Sequence, residues 1–130
     1  MKPELMSLTI VTTFTALLWI PYVLNRMLVR GIPSTVGYPQ DPPPLAPWAQ
    51  RLRLAHANAV ENLVVFAPLA LSVHMLGQGT PATEMAGWLY VSSRVAHALL
   101  YTAKVPWLRT LAFIGGWLAQ MILALRLLEV

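Results

Sequence analysis

Residues 55–70 read Ala-His-Ala-Asn-Ala-Val-Glu-Asn-Leu-Val-Val-Phe-Ala-Pro-Leu-Ala, and their reading decides the fold. Glu61 runs directly into an apolar segment that reads as membrane-spanning. A second charge of this kind, Arg94, lies inside Trp88-Leu-Tyr-Val-Ser-Ser-Arg-Val-Ala-His-Ala-Leu-Leu-Tyr101. An ionisable group at the centre of a membrane helix costs roughly 2.5–3.5 kcal/mol on insertion scales. Each charge therefore needs a partner: the other charge, a bound polar ligand, or both.

The composition around this stretch supports the membrane reading. The chain has 130 residues, is 57% hydrophobic and 11% charged, and has a mean hydropathy of +0.60. A soluble domain carries about 25% charged residues, so the bilayer is the solvent expected here. The length fits one domain, 1–130, of a few helices. There are no cysteines, which excludes disulfides, thiolate metal sites and a cysteine nucleophile; no metal site is expected. The net charge of +4 is read as cytoplasmic loop charge rather than as a nucleic-acid surface.

Four helices are expected, at about 4–30, 46–76, 82–104 and 106–128, as an all-α integral membrane bundle with up-down topology. Leu5–Leu24 is free of charge, and Asn25-Arg-Met-Leu-Val-Arg30 resembles a stop-transfer flank, so the first helix reads as uncleaved. Residues 31–48 read as a Pro-rich loop, because Pro33, Pro39, Pro42, Pro43, Pro44 and Pro47 oppose a helix. Pro21 and Pro68 are expected to kink helices 1 and 2, and Pro106 suits the first turn of helix 4. The loops after helices 1 and 3, with their flanks, hold Arg26, Arg30, Arg51, Arg53, Lys104 and Arg109, whereas the turn after helix 2 has no Lys or Arg. The positive-inside rule puts these loops in the cytoplasm and both termini outside. Trp48 and Trp107 fit the inner aromatic belt and Trp88 the outer one.

Depth brings the buried charges together. Glu61 lies roughly 18 Å beyond the start of helix 2 and Arg94 roughly 15 Å back from the end of helix 3, at 1.5 Å per residue. Asn58 and Glu61 share a helix face, as do Tyr90, Arg94, His97 and Tyr101. Two such stripes on consecutive antiparallel helices face each other. Polar side chains of this kind often only specify helix pairing. His56 and His74 receive no role. At the cytoplasmic mouth, Arg109 differs from the snorkelling cations because it lies on the first turn of helix 4, where free N–H groups attract anions.

These residues resemble a known family. Arg51-Leu-Arg-Leu-Ala-His-Ala-Asn-Ala-Val-Glu61-Asn is similar to the helix 2 signature of the membrane-associated proteins in eicosanoid and glutathione metabolism, the MAPEG family. Arg94-Val-Ala-His97-Ala-Leu-Leu-Tyr101, with Lys104, Pro106 and Leu108-Arg109-Thr110, resembles its helix 3 and following turn. The resemblance implies a bacterial-type member in the inner membrane, a homotrimer among lipids, with glutathione bound between subunits and lipophilic electrophiles as substrates. It implies that Asn58, Glu61, Arg94, His97 and Tyr101 hold glutathione, with Arg26 reaching in from a neighbouring subunit. Arg109 would stabilise the thiolate, and Thr110 stands where some members have serine. The pattern departs at Leu54 and Ala57, where some family enzymes have arginines that grip glutathione's carboxylates. Three functions are weighed: a glutathione transferase or peroxidase; a non-catalytic protein on the same scaffold, binding lipid or a small anion or purely structural; and, ranked last and drawn from the intramembrane carboxylate rather than the resemblance, a proton or ion carrier using Glu61 and His97.

Overall fold

The computed structural model describes residues 1–129 and contains helices and no strand among them. The helices are α1 (Pro3–Leu17), α2 (Trp19–Val36), α3 (Pro47–Met75), α4 (Pro81–Thr102) and α5 (Pro106–Leu128). α1 and α2 are one rod broken at Leu18, so the all-α four-helix layout expected from the sequence holds. The break has the expected cause. Pro21 lacks an N–H and crowds the carbonyl four residues back, at Leu17. The Leu18 N–H bonds Thr15 O at 3.3 Å, a tightened turn. α3, by contrast, runs through Pro68 without interruption.

Proline otherwise starts helices here. Pro3, Pro47, Pro81 and Pro106 each occupy the first turn of a helix, where the missing N–H is not needed. The same rule corrects the expected loop at 31–48. Gly31 leaves helical geometry at φ 78°, ψ 163°, and Pro33 then sits at the start of a new helical turn that ends at Val36. The connector is therefore 37–46. It is pinned to α2, because the Ala46 N–H donates to Asn25 Oδ1 at 2.9 Å and Arg30 Nε donates to Pro43 O at 2.8 Å.

Three segments are long and apolar enough to cross a membrane: Pro3–Val36, Pro47–Met75 and Pro106–Leu128. The fourth expected helix, α4, is not among these three. Its 22 residues suffice in length, but Thr83, Ser93, Arg94 and His97 make it too polar. All four are buried, because α4 packs between α1, α3 and α5 and turns this face inward. Small residues allow the close approach. A Cβ on Gly87 would collide with Ser7 of α1, and one on Gly115 would come within 2.6 Å of Ser93 Oγ.

The apolar core is divided. Towards the amino end of the chain, Val11, Phe66, Ala70, Val73, Tyr90 and Leu123 form one cluster, in which Phe66 and Tyr90 stack at 3.8 Å and 5°. Towards the basic loops, Leu18, Leu52, Ala55, Ala59 and Ala98 form another. Arg94 follows Tyr90 by one turn and precedes Ala98 by one, so the polar stripe of α4 falls between the two clusters.

Candidate functional site

The stripe Tyr90, Arg94, His97 and Tyr101 repeats at three- and four-residue spacing, which keeps it on one face of α4. Tyr90, Arg94 and His97 are buried and Tyr101 is half-buried. Arg94 is 2% exposed. Its Nη2 donates to Asn58 Oδ1 of α3 at 2.5 Å and lies 3.4 Å from His97 Nδ1. Arg94 Nε and Nη1 and the Tyr90 hydroxyl are buried with no partner. The network continues through Asn62, whose Nδ2 donates to Asn58 O at 2.8 Å, and through Gln120 of α5, whose Nε2 donates to Asn62 O at 3.1 Å. Gln120 has no counterpart in the sequence reading, because a lone Gln in an apolar helix carries no spacing signal.

The expected Glu61–Arg94 pairing is not made. Glu61 is exposed, and no ion pair joins it to Arg94 among the described residues. The reason is rotational. At 3.6 residues per turn, Glu61 lies roughly 200° around α3 from the buried Ala59, while Asn58 sits at the edge of the buried face. Glu61 instead shares an outward stripe with Leu54, Ala57, Val64 and Pro68, all exposed.

Nearer the basic end, His97 and Tyr101 meet edge-on with ring centroids 5.6 Å apart. The guanidinium carbon of Arg109 lies 4.6 Å from the centroid of the Tyr101 ring, a cation–π contact that joins α5 to α4. Arg109, Tyr101, Arg51 and Lys104 line a cavity of about 360 Å³. Asn58, Arg94, His97, Tyr101 and Arg109 are thus connected side chain to side chain. Thr110 is exposed and its hydroxyl donates to Pro106 O at 3.1 Å, within its own helix. Arg26 lies on α2 with its Nε buried and unpartnered; among the described residues no hydrogen bond joins it to the Arg94 cluster.

Leu54 and Ala57, the apolar departures, line a second cavity of about 520 Å³ together with Arg30 and Arg53. Arg53 precedes Leu54 on α3, and the packing of α2 beside α3 adds Arg30. His56, given no role in the sequence, faces Tyr22 of α2, with its Nδ1 2.7 Å from the hydroxyl. Glu4 was also missed. It is 5% exposed and its Oε1 accepts from Thr83 Oγ1 at 2.6 Å. That places a carboxylate at the amino end of α4, where the helix dipole favours it.

Comparison with known proteins identifies the family. The family model described as the MAPEG family matches residues 9–128. Microsomal glutathione S-transferase 1 from Bos taurus is 32% identical over 81 residues, covering 62% of this chain and 52% of the relative. The Homo sapiens protein of the same name is 30% identical over the same shares. The chain spans about half the length of the curated relatives it matches. With a match over nearly its whole length, on an all-α membrane bundle whose polar stripe lies inside, the chain belongs to the MAPEG family.

Proposed function

We propose that the chain binds glutathione at the Asn58–Arg94–His97–Tyr101–Arg109 site and uses its thiolate against lipophilic electrophiles or peroxides. The observation that carries this reading is Arg94. A buried guanidinium with two N–H-bearing nitrogens unpartnered, and no acidic residue paired to it among the described residues, calls for an anion or acceptor. Relatives named as glutathione S-transferases supply the ligand class. Arg30 and Arg53, beside Leu54 and Ala57, offer charge to a carboxylate.

Arg109 is the residue in this proposal that acts on sulfur. A free thiol has a pKa of about 8.5, which a neighbouring arginine and a helix amino end lower. Arg109 is held by Tyr101 and lies in the first turn of α5, so it combines both influences. Thr110 is kept as an auxiliary group on the same turn. The chain needs no nucleophile of its own.

Glu61 supports an oligomer, and the family resemblance makes the proposed oligomer a homotrimer. An exposed carboxylate on an apolar helix stripe faces hydrocarbon in a lone subunit. A second copy covering the stripe would bury it near a ligand amino group, with Arg26 reaching the site from the neighbour. The proposed setting is a bacterial inner membrane with the basic end in the cytoplasm.

Equilibrium dialysis of the purified protein against glutathione tests the ligand. Saturable binding, weakened by Glu61→Gln, with the ultraviolet thiolate signal lost in Arg109→Ala, is the expected result. No saturation with glutathione or other thiols at millimolar levels would favour the non-catalytic reading, which the departures at Leu54 and Ala57 support.

A further inference from the structure

Gln120 lies in an apolar stretch of α5 between Ala119 and Leu123, and is 3% exposed. An amide buried there costs free energy unless it finds a partner. Its Nε2 donates to Asn62 O of α3 at 3.1 Å. That carbonyl lies inside a continuous helix, where the α3 ladder already supplies it with a donor. The bond therefore fills no deficit on α3. An apolar side chain would satisfy burial at this position, and what the amide adds is a fixed point between two helices. Gly116, one turn earlier on the same face of α5, lets the helices approach: a Cβ there would stand 3.5 Å from Arg94 Cδ and 3.8 Å from Tyr90 Cδ2. One face of α5 thus rests on the stem of Arg94 and, a turn later, grips α3.

The grip falls where it sets the rotation of α3. At roughly 100° per residue, Asn62 lies roughly 40° around the helix from Asn58 on one side, and Glu61 roughly 60° from it on the other. Asn62 also ties Asn58 directly, its Nδ2 donating to Asn58 O at 2.8 Å and to Oδ1 at 3.2 Å. Asn58 Oδ1 in turn accepts from Arg94 Nη2 at 2.5 Å. Contacts therefore run without a gap from α5 across α3 to the buried charge on α4. Turning α3 by roughly 60° would carry Glu61 to the place of Asn58. At a helix radius of about 2.3 Å, the same turn would move the Asn62 backbone by about 2 Å, which a bond of 3.1 Å does not survive.

We infer that Gln120 is a positioning residue: by holding Asn62 it fixes the rotation of α3 at which Asn58, and not Glu61, meets Arg94. It acts through Asn62 and Asn58 rather than on a ligand. Its effect on ligand affinity rests on the proposed glutathione site, whereas its effect on the Asn58–Arg94 contact does not.

The test reads the Asn58–Arg94 contact in the full chain. A double-mutant cycle of Asn58→Ala and Arg94→Met is measured by reversible unfolding in mixed micelles, in the unmodified chain and in Gln120→Met. The methionine keeps the length of the side chain and removes its donor. A coupling of about fivefold or more in the unfolding constant is expected in the unmodified chain, and less than about twofold in Gln120→Met. Val73→Ala, a core change about three turns along α3 from Asn62, should leave the coupling intact. In equilibrium dialysis Gln120→Met should also weaken glutathione by about threefold or more, the worth of one interhelical hydrogen bond in a membrane. A coupling that survives Gln120→Met, one that Val73→Ala abolishes equally, or no coupling in the unmodified chain would each overturn the inference. So would a glutathione affinity that Gln120→Met leaves unchanged. If the unmodified chain binds no glutathione, the proposed ligand falls and the coupling alone decides the role of Gln120. If Gln120→Met does not fold, Asn62→Ala takes its place: it cuts the next link, keeps the carbonyl that Gln120 grips, and should lower the coupling likewise. An undiminished coupling there would overturn the inference.

Discussion

Asn58→Ala gives the most direct test of how the buried charge is held. The substitution removes the oxygen that accepts from Arg94 Nη2 at 2.5 Å. Arg94 Nε and Nη1 already lack partners, so the variant leaves His97 Nδ1, at 3.4 Å, as the remaining contact of a 2% exposed guanidinium. Hydrogen bonds to charged groups are worth about 1.5–3 kcal/mol in soluble proteins. Interhelical hydrogen bonds in membranes average nearer 0.6 and reach about 1.7 kcal/mol, because the unfolded helices also find partners in the bilayer. The charge argues for the upper end, so a loss of about 1–2 kcal/mol is expected. Asn58→Ala also strips the Oδ1 that Asn62 Nδ2 reaches at 3.2 Å, but Asn62 keeps its bond to Asn58 O at 2.8 Å, so this adds little. The discriminating variant is Asn58→Ala combined with Arg94→Met. Replacing a buried charge by an apolar side chain of similar length is often neutral or stabilising. The double variant should therefore be more stable than Asn58→Ala alone, with a coupling energy of about 1 kcal/mol or more across the cycle. Reversible unfolding in mixed micelles, titrated with denaturing detergent and followed by circular dichroism, measures all four species. Additive effects, or an Asn58→Ala loss below about 0.5 kcal/mol, would refute the claim that Asn58 holds the charge.

Other outcomes follow from single contacts. Gly87→Val should destabilise by about 1–3 kcal/mol through overpacking against Ser7, and the same unfolding assay should show partial recovery in a Ser7→Gly background. Lys104 holds φ 62° at the end of α4, in the turn closed by Val105 N–H to Leu100 O at 2.9 Å. Lys104→Gly should therefore stabilise by about 1 kcal/mol, read as a rise in the unfolding midpoint. Gly77 already makes this choice at the end of α3, with φ 64°. Glu4→Leu should cost about 0.5–1.5 kcal/mol by removing one of two acceptors for Thr83, whose hydroxyl keeps Thr80 O at 2.8 Å, whereas Glu4→Gln keeps both and should lose only the dipole term of about 0.3–1 kcal/mol. Thermal unfolding of both variants, compared side by side, separates the two contributions.

The helix ends show what was legible. Pro106 at the first turn of the last helix and the break just before Pro21, at Leu18, follow from proline's missing N–H and its ring, and both hold in the structure. Pro33 obeys the same chemistry, but the proline pattern alone does not show that the chain turns at Gly31 and restarts a helical turn just before it. The polar stripe of α4 was also legible, because its spacing is local to one helix. Its partner was not. Choosing between Asn58 and Glu61, three residues apart, depends on how far α3 is rotated against α4, and adjacent polar positions do not report that rotation.

Composition and periodicity alone determined that this chain is an apolar helical bundle with a basic end and an internal polar stripe. Those properties depend on residue type and on spacing within a helix. Tertiary structure alone decided that Arg94 pairs with Asn58, that Glu61 faces outward, that Arg109 stacks on Tyr101, and that Arg30 comes to the side of Leu54 and Ala57. Each depends on how the helices sit against one another, through rotation, offset and the break at Leu18, which arise only when the rods pack.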